Sequence, residues 1–388
     1  MHAFSSFGTP PMPTERIDIT ISNSRIAADA EHRRLLQDVH QRKRPARTPI
    51  VLNTDPFFCL LSRNASIPQY LSSPRENIRG QLLNLKWRTE NFDDDQPLPL
   101  TEFSVSPDFG SIRGTQFPIT WHESDAGPWV GDPLITQVEQ IDSLTIPAPA
   151  ANLNAKRIAW YHDMQTLIHD FDLRLNGQPL QLSVSISHGG GPIPTAFALA
   201  SENLFEFMAA DPDRTHRFMQ LCSDSHFQCV EHHNFLAGRP KNGPVWAGCD
   251  SAEMISPAMF KEFVVPYYLQ LWTRFPGPRT FHMCGRINHL LDILRDEMKI
   301  TTLDGFGFPV PPELLAEKLA GRVNLKGGFS PVLLHAGPAD AIRSETLRYL
   351  RLLAPTGGFI MSNGGSAVVG TPPAHFQALI TTTREFTC

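Results

Sequence analysis

FHMCGRINHLLDIL, residues 281–294, decides how this chain folds. Phe281, His282, Met283 and Cys284 read as the end of a buried strand, and Gly285 breaks it. Ile287, Leu290, Leu291 and Leu294 then recur at helical spacing. Residues two apart in a strand face the same side. His282 and Cys284 are therefore expected to present a nitrogen and a sulfur donor together at the strand's C-terminal edge, which is half of a zinc site. On composition alone, a core histidine beside an inert cysteine is the commoner origin of an isolated HxC. The strand-to-helix position tells against it, because parallel α/β proteins keep their chemistry at C-terminal strand ends.

Working outward, strands and helices alternate at βα spacing. Strands are expected over 181–187, 243–250, 299–306, 322–329 and 357–365. Helices are expected over 154–176, 195–208, 212–236, 257–275, 311–320, 337–353 and from 373 onward. Upstream, residues 49–52 form a short apolar strand, 66–90 a helix with Trp87 packed, and 101–144 a long Gly/Pro/Trp excursion containing one more strand. Counted together these give about eight parallel strands with crossover helices, a closed (β/α)8 TIM barrel. Residues 26–44 read as a charged helix, and residues up to about 25, rich in Pro, Ser and Thr, as disordered or draped over the surface. The division is a tail and helix over 1–44 and a barrel over 45–388.

A chain of 388 residues can hold such a barrel as one unit. The net charge of -5, without a basic stripe, argues against nucleic acid as a partner. Apolar runs fall short of the roughly 18 residues that cross a bilayer, so no membrane is expected. The N-terminus has no basic region followed by an apolar core, and the six cysteines form no CxxC. Both features predict reduced thiols and a cytoplasmic protein.

Several segments fall together in order: HMCG and its helix, CDSAEMISPAMFKEFVVPYY (249–268), VNLKGGFSPVLLHAGPADAI (323–342) and GGFIMSNGGSAVVGTPPAHFQAL (357–379). Together they resemble the uroporphyrinogen decarboxylase superfamily, which holds decarboxylases and zinc methyltransferases that move methyl groups between corrinoids and thiols. PDFGSIRGTQFP and GPWV resemble the long loop of the methyltransferase-like branch. The resemblance implies a uroporphyrinogen decarboxylase-like (β/α)8 barrel with its site at the C-terminal mouth. True decarboxylases carry an RQAGR segment after the first strand, whose cations bind the substrate's carboxylates. Here that place reads LNTDPFF, with no arginine.

In the methyltransferase branch zinc is held by HxC and a third cysteine after the last strand. His282 and Cys284 match the first two, while Gly365 stands where the third cysteine would be. The resemblance puts Asp250 at a site-facing acidic position. Strand order in a closed barrel makes its strand the neighbour of the HMCG strand, so its carboxylate is expected within reach of both donors. His188, His232 and His233 remain as other donors, and Asp250 could instead cap the helix near Ser256. Asp304 ends a strand and is a second catalytic candidate. Lys326 beside a strand end, and Asn53 and Asp55 after the first strand, are candidate substrate contacts. Gly189–Gly191 read as a tight turn that permits close approach, having no phosphate-loop context.

The leading expectation is a zinc-dependent methyltransferase acting on a thiol or a corrinoid-linked methyl group. Its partners would be a small-molecule substrate, a corrinoid protein as methyl donor and, in a homodimer, a second copy. Two alternatives stand beside it: a metal-free decarboxylase or lyase using Asp250 and Lys326 on a small acid, and a binding barrel without catalysis.

Overall fold

Alternation within the strands explains the barrel. In the computed structural model, which describes residues 14–110 and 113–387, Thr280–His282, Thr302–Phe306, Asn324–Gly327 and Phe359–Met361 run parallel, and Ala247–Gly248 completes their sheet. Phe281, Leu303, Leu325 and Phe359 fall in one register row and are buried. Phe281 packs edge-on against Tyr268 and Trp272 of the helix Val265–Arg274, so this row faces the helical layer. The adjoining row, His282, Asp304 and Lys326, points the other way, into the barrel. A period of two thus places an apolar row on the helices and a polar row at the mouth.

The remaining strand positions complete eight. Residues 49–52 bond to the last strand, the Val51 N–H donating to the Met361 carbonyl and the Met361 N–H to that of Pro49, both at 2.9 Å. Glu102–Val105 pairs in parallel with Gln181–Val184. Gly190, beyond that strand, bridges to Ala247. Among the described residues, no backbone ladder joins 49–52 to Glu102–Val105. The N–H groups of Ile50 and Leu52 donate instead to the carboxylates of Asp95 and Asp94, each at 2.8 Å. No helix among the described residues is long and apolar enough to cross a membrane.

Several boundaries differ from expectation. Glu15–Ile19 is a strand, parallel to Phe171–Leu175, rather than a draped segment; residues 1–13 lie outside the described residues. The first helix is Asn23–His40, capped by Ser22. The helix expected over 66–90 is two, Ile67–Tyr70 and Pro74–Asn91, because Pro74 starts a new first turn after the Ser73 cap. The helix expected over 154–176 stops at Leu167, and FDLRL becomes a strand whose alternate residues Phe171, Leu173 and Leu175 are buried. The helix after HMCG starts only at Leu291.

Candidate functional site

Three of the expected site residues meet at the mouth. One donor atom each from Asp250, His282 and Cys284 lie within 4.8 Å of one another. The His282 Nε2 is 3.6 Å from Asp250 Oδ1, and the Cys284 N–H donates to that same oxygen at 2.9 Å. Each has a local reason for being there. Asp250 opens a short turn, Asp250–Met254, directly after the strand Ala247–Gly248. It does not cap the helix Pro257–Phe263, since the Ser256 hydroxyl does so by accepting from the Met259 N–H. Cys249, its neighbour, is buried beside Tyr268, and burial drives its thiol pKa far above the ordinary range.

His282 depends on a defect in the next strand. The ladder shifts register between Asp304 and Phe306. Gly305 at that bulge has φ +75°, and a Cβ there would stand 2.5 Å from Cε1 of the His282 ring. The bulge and the missing side chain together make room for the imidazole. Trp246 lies on its other side, ring centroids 5.8 Å apart. The Cys284 thiol is pushed up to about 12, first by burial and then by the Asp250 carboxylate. Glu253 accepts from the Arg286 N–H under the Gly285 turn and adds negative charge beside Cys284.

The donor set suits zinc. Tetrahedral zinc takes N, S and O donors at about 2.0–2.3 Å, and a catalytic site keeps three protein ligands and one open position. The last strand supplies none: Gly365 has no donor, and the Asn363 amide is committed to Asn53, accepting its N–H at 2.8 Å and donating to its carbonyl at 3.0 Å. His188 and His233 are buried elsewhere, and His232 lies outside the cluster.

The other candidates separate. Asp304 and Lys326 form an ion pair at 3.2 Å, so each neutralises the other and neither joins the three. Asn53 lines the cavity of about 590 Å3 that also holds Asp250, His282, Trp246 and Ser366. Asn53 and Lys326 both line a second cavity, of about 810 Å3, at the open seam between 49–52 and Glu102–Val105. Asp55 caps Pro56–Ser62, its Oδ1 accepting from the N–H groups of Phe57 and Phe58, both at 2.9 Å.

Two residues of the mouth escaped the sequence reading. Trp246 is an exposed aromatic within a strand that looked merely apolar. Arg113, from the long excursion, lines the same cavity and stands over the Trp246 ring, its guanidinium carbon 5.7 Å from the centroid. Only the SIRG segment of that loop hinted at a cation, and its distance in sequence from HMCG hid the contact.

Residues 116–386 match the family model described as uroporphyrinogen decarboxylase. A curated relative, the uroporphyrinogen decarboxylase of Dictyostelium discoideum, is 25% identical over 268 residues, which are 64% of this chain. The match takes in 65% of that relative, so the chain spans just under two thirds of its length. Among solved structures, a methyltransferase from Methanosarcina mazei superposes with a TM-score of 0.65 at 15% identity, covering 91% of this chain and 98% of its own. At that identity the likeness establishes the shared barrel.

Proposed function

The chain belongs to the uroporphyrinogen decarboxylase family, and on that footing we propose that it is a zinc-dependent methyltransferase acting on a thiol or a corrinoid-linked methyl group. The observation that carries this reading is the convergence of Asp250, His282 and Cys284, three donors of zinc-binding type at the C-terminal ends of two adjacent barrel strands. The absence of an arginine in 53–58, after the first strand, supports methyl transfer over classical decarboxylation.

Zinc, when bound, supplies a Lewis acid that makes a bound thiol or water nucleophilic at neutral pH. The protein's own part is orientation. Trp246 and the Gly305 bulge fix the His282 ring, and the Cys284 N–H fixes the Asp250 carboxylate. Asn53, which lines the same cavity, would contact the substrate there. Asp304 and Lys326, on the strands next to that of His282 and in the same inward row, form an ion pair, with Lys326 reaching the seam cavity. Phe308, Val332 and Val369, exposed beyond three successive strand ends, suit the docking of a carrier such as a corrinoid protein.

Metal content of protein purified without added metal tests the reading. Wild type is expected to hold about one zinc per chain, as a three-ligand site would, and Cys284→Ser and Asp250→Ala to lose it together with methyl transfer. Metal-free wild type with full activity would remove the proposal. A second reading keeps Asp250 as the proton donor or base of a metal-free decarboxylase acting on a small acid, supported by the Dictyostelium relative. It predicts activity that a chelator leaves unchanged.

A further inference from the structure

Behind the Gly189–Gly191 turn, the protein encloses a cluster of basic side chains that nothing in the zinc reading uses. His226 and His233 lie seven residues apart on one face of the helix Pro212–Leu236, both fully buried. His188, at the end of the third barrel strand, stacks near both, with ring centroids 5.0 Å from His226 and 5.4 Å from His233. Arg157 reaches in from the helix Asn152–Leu167. Both ring nitrogens of His226, Nδ1 of His188 and Nε of Arg157 are buried with no hydrogen-bond partner in the protein, and the His233 ring has at most a marginal contact with the Ser187 backbone. Buried polar atoms are nearly always satisfied in folded proteins. Most such orphaned atoms among the described residues fall in or beside this one cluster, Gln116, Asn154 and Thr115 included.

Charge decides what would satisfy them. Among the described residues, neither Arg157 nor Arg113 makes a salt bridge or a side-chain hydrogen bond. Asp108, the acidic group that acts on Arg157, is committed to the Tyr70 hydroxyl at 2.6 Å and to the Gly110 N–H. Burial first, with repulsion from Arg113 adding to it, brings the Arg157 pKa down to about 10. Burial also holds His226 and His233 down to about 3, with Arg113 acting on the one and Arg157 on the other. Asp108 and Asp250 act on Arg157 and Arg113 without bonding to them, so the two guanidinium ions repel each other with their donors left open, which is costly where they are buried. A metal cation would add to that repulsion; an anion removes it.

We infer that Arg113 and Arg157, with the imidazoles of His188, His226 and His233, form a binding site for a carboxylate or a similarly small oxyanion. Arg113 lies against Gly190, two residues beyond His188, and also lines the wall of the mouth cavity. The anion is therefore either the acidic group of the substrate or a separate ion held behind it. Gly190 is what allows the approach: its φ is +111°, and a Cβ there would stand 2.8 Å from Arg113 Nε. The site deepens the proposed enzyme reading without resting on the metal, because none of its residues belongs to the zinc-type cluster.

The test is thermal unfolding and calorimetric titration of the full chain with acetate, succinate and inorganic phosphate, against sodium chloride at equal ionic strength. At least one oxyanion is expected to stabilise wild type beyond the chloride control. Arg157→Met and Arg113→Met should each weaken that binding roughly 10- to 100-fold, the loss of one charge-assisted group. Arg157→Met should also raise the melting temperature of the unliganded protein, since it removes an unpaired cation. Binding of succinate alone assigns the site to the substrate's own acid, and binding of acetate and phosphate as well assigns it to a free ion. Equal responses to every oxyanion and to chloride would overturn the inference, as would undiminished binding in both variants. If Arg157→Met does not fold, Arg113→Met at the cavity wall carries the comparison alone. Zinc content separates the two proposals: a metal-free chain that still binds the oxyanion keeps this inference and ends the zinc reading.

Discussion

Two buried polar regions of this barrel differ in one respect, whether the protein itself satisfies their charges. At the seam beside residues 49–52, Asp94 and Asp95 are fully enclosed. Arg47 grips Asp95 with two bonds, at 2.6 and 2.9 Å, the Ile50 N–H donates a third, and Arg384 and His32 each approach to 3.3 Å. Arg88 holds Asp94 at 2.7 Å while the Leu52 N–H donates to it. These carboxylates occupy the place of the missing strand partner. In the cluster around Arg157 and His226 the protein supplies no such partners. A buried network whose bonds are made within the chain rigidifies the fold, whereas the open bonds of the basic cluster are those the proposed oxyanion would fill.

The sharpest way to break this comparison is to remove one charge from the satisfied region. Asp95→Ala leaves the Ile50 N–H without an acceptor and Arg47 with only Glu31 at 3.5 Å, and stability is expected to fall by about 3–5 kcal/mol, the usual cost of breaking a buried pair from one side. Denaturant unfolding measures it. A loss below about 1 kcal/mol, the scale of an exposed pair, would mean that the seam is not what closes the first strand.

A pH series sharpens the same contrast. Burial alone would raise the Asp95 pKa, but Arg47 and the Ile50 N–H outweigh it and hold the carboxyl below its ordinary range. A depressed folded value means that this contribution is present above the unfolded pKa of about 3.9 and is lost as pH falls through the folded value. The urea midpoint is therefore expected to drop on acidification below about pH 4, and to drop less steeply in Asp95→Asn. Identical slopes in the two proteins would exclude Asp95 as a source of acid sensitivity.

What the sequence could and could not tell follows the same line. His282 and Cys284 were legible because a two-residue period puts them on one face, and Asp250 because consecutive strands of a parallel barrel are neighbours. The Asp304–Lys326 pair was missed as a pair, although both residues stood out singly, because it depends on register between strands. Arg113, Arg157 and His226 come from a loop and two helices that only tertiary packing brings together. His226 and His233 share a helix face at spacing seven, and that signal was readable; the absence of partners for them was not. The strand Phe171–Leu175 was absorbed into a helix because its own alternation, though clear, is only five residues long.

The smallest expected effect tests the satisfied kind of carboxylate at the edge of the site. Asp55 was a candidate substrate contact, yet its Oδ1 accepts from the Phe57 and Phe58 N–H groups at the start of Pro56–Ser62. A cap of this type is worth about 1 kcal/mol, and serine or asparagine replaces aspartate in it with little loss. Asp55→Ala is therefore expected to lose about 1 kcal/mol, while Asp55→Ser regains most of it, both read from urea midpoints. Turnover and apparent substrate affinity of Asp55→Ser should match wild type, because a hydroxyl caps the helix as the carboxylate did. If Asp55→Ser is as stable as wild type but binds substrate more weakly, the free Oδ2 reaches the ligand, and a carboxylate with internal bonds would be serving the fold and the site at once. That outcome would blur the division drawn between the seam and the basic cluster, since internal satisfaction would then no longer mark a charge as purely structural.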